Sequence, residues 1–253
     1  MPAAALTPKG KLLFFGRLVG LPDRLRLLLP RPLRGEALAH LKKYAVFQKV
    51  SIEDASDAVT RIGLTGVGAG GSPELPAGAL GIAGEGEFSA EILSPAGSAG
   101  EVVRALEARG AVRLDDVAAE ILRVEAGRPR FGQDADGSHL ADEVGLGDAV
   151  SATKGCYVGQ EIVARLRTYG RVNRRLVGFL FPSGALAPGT LLRRPGVAVA
   201  ARVETGRVTS SADSPRFGPI GLGWAFRDVA VGDRLEADDG SAGPAIVAPL
   251  PFA

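Results

Sequence analysis

The sequence holds a single cysteine, Cys156, along with one tryptophan and two histidines in 253 residues. One thiol excludes an intrachain disulfide framework and suits a reducing compartment. It also cannot cage an iron–sulfur cluster, which ordinarily takes about four cysteine ligands. With only His40 and His139 beside it, and no G-x-S-x-G segment, neither a zinc site nor a hydrolase triad has its parts, and no metal site is expected. Charge of one sign is also lacking: 30 Lys and Arg stand against 28 Asp and Glu, so attraction to a polyanion must be local rather than global. Long apolar runs are absent too. The longest uncharged run, Leu176–Leu192, is interrupted by Pro182, Gly184, Pro188 and Gly189, which is unlike a bilayer helix of roughly 20 residues. At the N-terminus, Leu12–Phe15 meets Gly16 and Arg17 before an export signal can form. These absences lead to the expectation of a soluble, cytoplasmic globular protein without a membrane partner.

What is present is β-rich and punctuated. Lys11–Val19 and Leu25–Leu29, separated by Leu21-Pro22-Asp23, predict a hairpin. From Leu33 to Phe47 the apolar residues Leu33, Ala37, Leu38, Leu41 and Ala45 recur at helical spacing. Val50–Glu53, Val59–Leu64, Ala79–Ile82 and Glu87–Leu93 read as short antiparallel strands, followed by helices over Glu101–Arg109 and Asp115–Ala126 with glycine stops at Gly110 and Gly127. Residues 127–153 read as loop, and Gly159–Arg167 as a short helix. Beyond Arg171 come Leu176–Phe181, Val197–Thr209, Ile220–Phe226 and Ala245–Val247, strands with no long helix between them, the texture of a small barrel. The expected class is α+β, with two interleaved α+β subdomains in residues 1–170, a β-barrel domain in 171–253, and a boundary near residues 168–178.

Gly66, Gly68 and Gly71 match G-x-G-x-x-G, but Pro73 and Pro76 occupy the place where a phosphate-binding helix must start, so the segment reads as a flexible turn. His40 reads as half-exposed on its helix, and His139, inside the polar stretch Asp134–Asp142, as solvated. The chemically informative segment is Lys154-Gly155-Cys156-Tyr157-Val158-Gly159-Gln160-Glu161. Gly155 and Gly159 bracket the cysteine and permit tight backbone geometry. Lys154 and a helix beginning near Gly159 place positive potential near the thiol, a setting that favours thiolate. The residues alone leave open a second reading, a buried and inert cysteine beside a turn. Downstream, Arg165, Arg167, Arg171, Arg174 and Arg175 occur without an acidic residue between Ile162 and Phe181. Such a stretch suits a polyglutamate tail, an RNA backbone or an acidic protein, or else a solvated strand balanced elsewhere in the fold.

Lys154–Glu161 resembles the K-G-C-[YF]-x-G-Q-E motif of the YgfZ family, folate-dependent proteins of tRNA modification and iron–sulfur maintenance. Arg123-Val124-Glu125-Ala126-Gly127 is similar to that family's R-[IV]-E-x-G segment, Glu143–Leu146 to the loop that follows it, and Thr7–Leu12 to its P-x-G-[KR] hairpin. The resemblance implies the fold of the glycine-cleavage aminomethyltransferase (GcvT-like), with antiparallel sheets and a terminal β-barrel. It implies tetrahydrofolate or a derivative as cofactor, with Glu125 approaching the pterin and Arg123 and Arg165 as further contacts. Cys156 would be the essential thiol, with Lys154, Gly155, Tyr157, Gly159, Gln160 and Glu161 as its motif. Implied partners are a reduced folate, iron–sulfur proteins or their assembly factors, and RNA only indirectly. Family members carry about forty to fifty further residues before the hairpin, so either the natural start lies upstream or the folate site is weakened. The aminomethyltransferases lack the cysteine motif, so an accessory protein rather than a conventional enzyme is expected, a folate-dependent aminomethyltransferase being the alternative.

Overall fold

In a computed structural model, residues 1–66, 75–151, 153–196, 204–238 and 243–253 are described. The chain groups into two compact units, one of Met1–Leu29 with Glu120–Ala253, the other of Pro30–Ala119. The division expected near residues 168–178 was drawn by texture, at the onset of barrel strands; the grouping into units follows compactness and cuts elsewhere.

In the first unit, β1 (Pro2–Leu6), β2 (Leu12–Gly20) and β3 (Leu25–Leu28) form an antiparallel sheet in that order. The hairpin β2–β3 is the expected one, and β1 adds a strand that sequence reasoning did not assign. Six further strands close a barrel in the order β10-β7-β12-β11-β8-β9. They are β7 (Arg174–Leu180), β8 (Leu191–Arg193), β9 (Gly206–Ser214), β10 (Gly218–Phe226), β11 (Arg234–Ala237) and β12 (Ala245–Ala248). The two-residue period of a strand explains why both faces of β7 and β10 are covered. Val177, Phe179, Phe181 and Ala225 point into the barrel core with Leu192, Val208, Leu235 and Val247. Ile220 and Leu222 pack outward on Val124, Ala248 and Phe252. Glycine makes room for the inner rings: a Cβ at Gly221 would lie 2.8 Å from the Phe181 ring, and one at Gly223 2.8 Å from that of Phe179.

The second unit contains α1 (Arg34–Ala45), α2 (Ala99–Glu107) and a three-stranded sheet ordered β4-β6-β5, built from β4 (Val59–Leu64), β5 (Leu80–Ala83) and β6 (Ala90–Pro95). α1, α2 and β4 lie close to their expected spans. Val50–Glu53 forms no strand, because no partner in the β4-β6-β5 sheet reaches it. Glu91 is fully buried in β6 and receives both 2.9 Å bonds of the Arg61 fork from β4. α3 (Asp116–Glu125) starts where expected, with the Asp115 carboxylate accepting the Ala118 amide at 2.7 Å, and Gly127 follows it at φ 67°. The last helix, α4 (Gln160–Tyr169), opens directly after the cysteine motif. Of the strand expected over Val197–Thr209, residues 197–203 lie outside the described residues, as do Gly68 and Gly71 of the glycine turn. Among the described residues no helix is long and apolar enough to cross a membrane.

Candidate functional site

Cys156 is exposed and is the only thiol. The backbone leading to it is gathered by Ser151, whose Oγ accepts the amides of Thr153 and Lys154 at 3.2 and 3.1 Å. After it, the Gln160 amide donates to the Tyr157 carbonyl at 3.2 Å, and the Tyr157 amide to Gln160 Oε1 at 3.4 Å. Lys154 Nζ stands 5.1 Å from the centre of the Tyr157 ring, a cation–π contact, while Tyr157 itself packs on the cluster formed by Leu6, Leu12, Val144, Val163 and Trp224. Glu161 and Arg165 form an exposed pair on α4 at 3.0 Å.

The two glycines of the motif differ in what they do. Gly159 caps α4 at φ 85°, and a Cβ there would sit 2.6 Å from the Thr7 carbonyl oxygen and 3.2 Å from Gly10 Cα, so only glycine fits. Gly155 has open space around its Cβ position, and its glycine character answers to no contact. The partner of Gly159 is the turn between β1 and β2, closed by Thr7 N–H to Lys11 O at 2.8 Å and Gly10 N–H to Thr7 O at 2.9 Å. Gly10, at φ 71°, would place a Cβ 3.0 Å from Ile162 of α4. Two segments singled out separately in the sequence, Thr7–Leu12 and Lys154–Glu161, therefore meet in the structure.

The turn is held from a second side by the segment 136–143. Leu12 N–H donates to His139 O at 2.9 Å, and Lys11 bridges Leu140. The expectation that His139 is solvated is corrected here. It is 6% exposed, stacked on Trp224 with ring centres 4.4 Å apart, and its Nδ1 lies 2.8 Å from Asp136 Oδ1. Burial, aided by the nearby Arg174 charge, lowers its pKa below the usual histidine value against the opposing pull of Asp136 and Glu143. Arg174 covers the Trp224 ring at 5.5 Å and reaches the buried Glu143 at 3.4 Å, a carboxylate that also accepts the Leu140 amide at 2.8 Å.

Glu125 ends α3 and is 7% exposed. Its Oε1 accepts the Ser214 hydroxyl at 2.6 Å and its Oε2 lies 3.5 Å from Arg216. Arg123, two residues back, has its guanidinium committed to protein. Nε and Nη2 bind Glu120 at 3.0 and 2.6 Å, Nη1 binds the Arg128 carbonyl and Asp134 at 2.5 and 2.8 Å, and Nη2 also binds Ser210 at 2.7 Å. Burial opposes its charge, but the Glu120 hydrogen bond and the two carboxylates outweigh it and raise its pKa. Asp134, fully buried, also accepts the Thr209 and Ser210 hydroxyls at 2.5 and 2.6 Å. Thus Arg123 fastens the 128–134 loop to β9. Among the described residues, no hydrogen bond or ion pair joins Cys156, Glu125 and Arg165 to one another.

The arginine stretch is less free than its local charge suggests. Arg165 has Glu161, Arg174 has Glu143, and Arg167 binds the Val150 and Gly147 carbonyls at 3.1 and 2.7 Å with Asp142 at 3.7 Å. Arg175 binds the Val229 carbonyl at 2.7 Å. Sequence reasoning did not foresee Asp134, Ser214, Arg216 or the His139–Trp224 stack; the one available signal was the density of short polar residues in Asp134–Asp142, which reads equally well as solvent-facing loop.

The architecture is that of a known class. The solved structure of the glycine cleavage system aminomethyltransferase T from Bartonella henselae matches all of this chain and 76% of its own with a TM-score of 0.82, at 21% identity. The tRNA-modifying protein YgfZ of Sodalis glossinidius is 31% identical over 264 aligned residues, covering 91% of this chain and 75% of that protein. The chain belongs to the YgfZ family. It is also 33% identical over 163 residues to a putative chloroplastic transferase of Arabidopsis thaliana, spanning 35% of that protein's length. No family model matches it.

Proposed function

We propose that this protein is a cytoplasmic, tetrahydrofolate-binding accessory factor of tRNA modification and iron–sulfur protein maintenance, acting through Cys156. The observation that carries the reading is an exposed thiol in a segment whose position is set by the close approach of Gly159 to the Thr7–Lys11 turn, within a chain of YgfZ kinship. An exposed thiol can do two things for a client. As thiolate it can attack a client disulfide, forming one S–S bond while the displaced sulfur leaves as thiolate. It can also lend one ligand to a cluster whose other ligands belong to the client, since one sulfur does not suffice alone.

The residues fit a reduced folate at Glu125. Its carboxylate is buried and has one protein partner on each oxygen, and a carboxylate has about four acceptor sites, which leaves capacity for the paired N–H donors of a 2-aminopyrimidine edge. Arg123 would serve by holding the adjoining loop, and Arg165, exposed beside Glu161, would meet the anionic tail. A bound folate would supply one-carbon chemistry or act as an allosteric signal; the chain's own part is to bind and orient it. The partners that follow are a reduced folate and iron–sulfur proteins or their assembly factors, with RNA reached through them.

Replacement of Cys156 by Ala should abolish rescue of a cell lacking the native protein, and full rescue by that variant would remove the thiol from the mechanism. Tetrahydrofolate binding is best read by calorimetry, with Glu125→Ala as control. Trp224 is a poor direct reporter, because it is buried in its stack on His139. Turnover in an aminomethyl-transfer assay would favour the alternative reading, for which the shared fold is the supporting observation.

A further inference from the structure

The two ends of α1 differ in charge. At the first, Arg31 is paired with Asp57, and Arg34 lies 4.0 Å from Asp54 and 3.8 Å from Asp57, so Asp54 and Asp57 are drawn to the beginning of the helix, while Glu53 accepts the Ser51 hydroxyl. At the other end, residues 37–52 contain no Asp or Glu but carry Lys42, Lys43 and Lys49. No ion pair engages these three lysines among the described residues.

The same end displays aromatic surface. His40, Tyr44 and Phe47 are spaced i, i+4, i+7, which aligns them on one helical face; Val46 retains helical dihedrals at φ −53°, ψ −36°, so the row continues past Ala45. The His40 and Tyr44 ring centres are 5.0 Å apart, and Lys43 Nζ is 5.7 Å from the Tyr44 ring. Tyr44 is 51% exposed and Phe47 96%. A fully exposed phenylalanine costs solubility and offers the fold nothing. Flat rings in a row beside unpaired cations match one chemistry: phosphates for the lysines and base faces for the rings. A bilayer is a poorer match, since the outward residues earlier on the helix, Arg34, Glu36, Ala39, Lys42 and Lys43, present no continuous apolar stripe to embed. A second copy is also a poorer match, because a two-fold contact sets each patch against itself and would oppose lysine to lysine.

We propose that the His40–Tyr44–Phe47 face of α1, flanked by Lys42, Lys43 and Lys49, binds an unpaired stretch of nucleic acid. The bases stack on Tyr44 and Phe47, and the backbone is neutralised by the lysines. This surface belongs to the second compact unit, whereas Cys156 and Glu125 belong to the first, and the proposal does not depend on the folate reading.

The test is fluorescence anisotropy of the full chain with a labelled uridine oligonucleotide about twelve nucleotides long and its deoxythymidine counterpart, at several salt concentrations. For three neutralised phosphates, the slope of log affinity against log salt should be about −2. A Tyr44→Ala, Phe47→Ala double variant should weaken binding about tenfold or more with the slope retained. A Lys42→Gln, Lys43→Gln, Lys49→Gln variant should flatten the slope, and a fully paired duplex should not compete. Tighter binding of the uridine strand would identify RNA, and equal binding any single strand. Absence of binding to both strands, or binding that neither variant alters, overturns the proposal. So does binding of phosphatidylserine vesicles in preference to the oligonucleotides, or self-association abolished by Phe47→Ala. Should a multiple variant fail to fold, Phe47→Ala alone, at a position with almost no packing, keeps the measurement decisive.

Discussion

The barrel and the cysteine segment show opposite uses of glycine and burial within one compact unit. In the barrel, Gly221 and Gly223 vanish beneath Phe181 and Phe179, rings that are 2% and 0% exposed, and every strand is paired to a neighbour on both sides. Around Cys156 the backbone belongs to no strand or helix, the thiol faces solvent, and the close approach of Gly159 to the Thr7–Lys11 turn fixes where the segment ends. The lesson is a division of labour: dense packing is concentrated in the barrel, and the exposed thiol is carried by a loosely packed segment anchored within the same unit.

That contrast can be broken from the barrel side first. Phe179→Ala should cost about 3–5 kcal/mol, read as a lowered urea midpoint; a cost below about 1 kcal/mol would mean the barrel is not the stabilising core. Gly159→Ala, forced into a left-handed conformation against the Thr7 carbonyl, should cost about 1–3 kcal/mol and quicken proteolysis within residues 151–158; an unchanged digestion pattern would show the anchor to be unimportant. A smaller effect is expected from acid. Because His139 has a lowered pKa in the fold, the unfolded chain takes up a proton more readily once pH drops below about 6.5. Stability is therefore complete above that pH and declines as pH falls toward the lowered folded value. His139→Gln should flatten this part of the unfolding-versus-pH curve, and an identical curve would exclude His139 as its source. The smallest change belongs to Cys156→Ala, which should shift stability by no more than about 0.5 kcal/mol. In the wild type the thiol should react with an aromatic disulfide reagent as fast folded as unfolded.

Signals confined to a few neighbouring residues were readable from the sequence. Helical spacing located α1 and α3, glycine stops marked the ends of α2 and α3, and the eight-residue cysteine motif announced both a turn and the helix after it. Contacts made by residues distant in the chain were not readable. β8 has three residues and β11 reads Arg-Leu-Glu-Ala, a composition as suited to a helix as to a strand, and only pairing across the barrel settles it. Asp134 and His139 sit in a stretch polar enough for solvent, yet Thr209, Ser210 and Trp224, contributed by β9 and β10, bury them. Arg167 of α4 and Arg174 of β7 looked like part of a basic patch because their carboxylate partners, Asp142 and Glu143, precede them by two dozen residues or more. Arg123 showed its charge but not its partners, so its place in the loop-to-barrel fastening was hidden.

The turn at Thr7–Lys11 touches Gly159 and Ile162 on one side and His139–Leu140 on the other. A sulfur atom near the middle of the chain thereby takes its coordinates from the tenth residue. Whatever tugs on that early loop, whether a partner, a fused tag or a trimmed amino terminus, would move the thiol or set it adrift with its own neighbourhood unaltered.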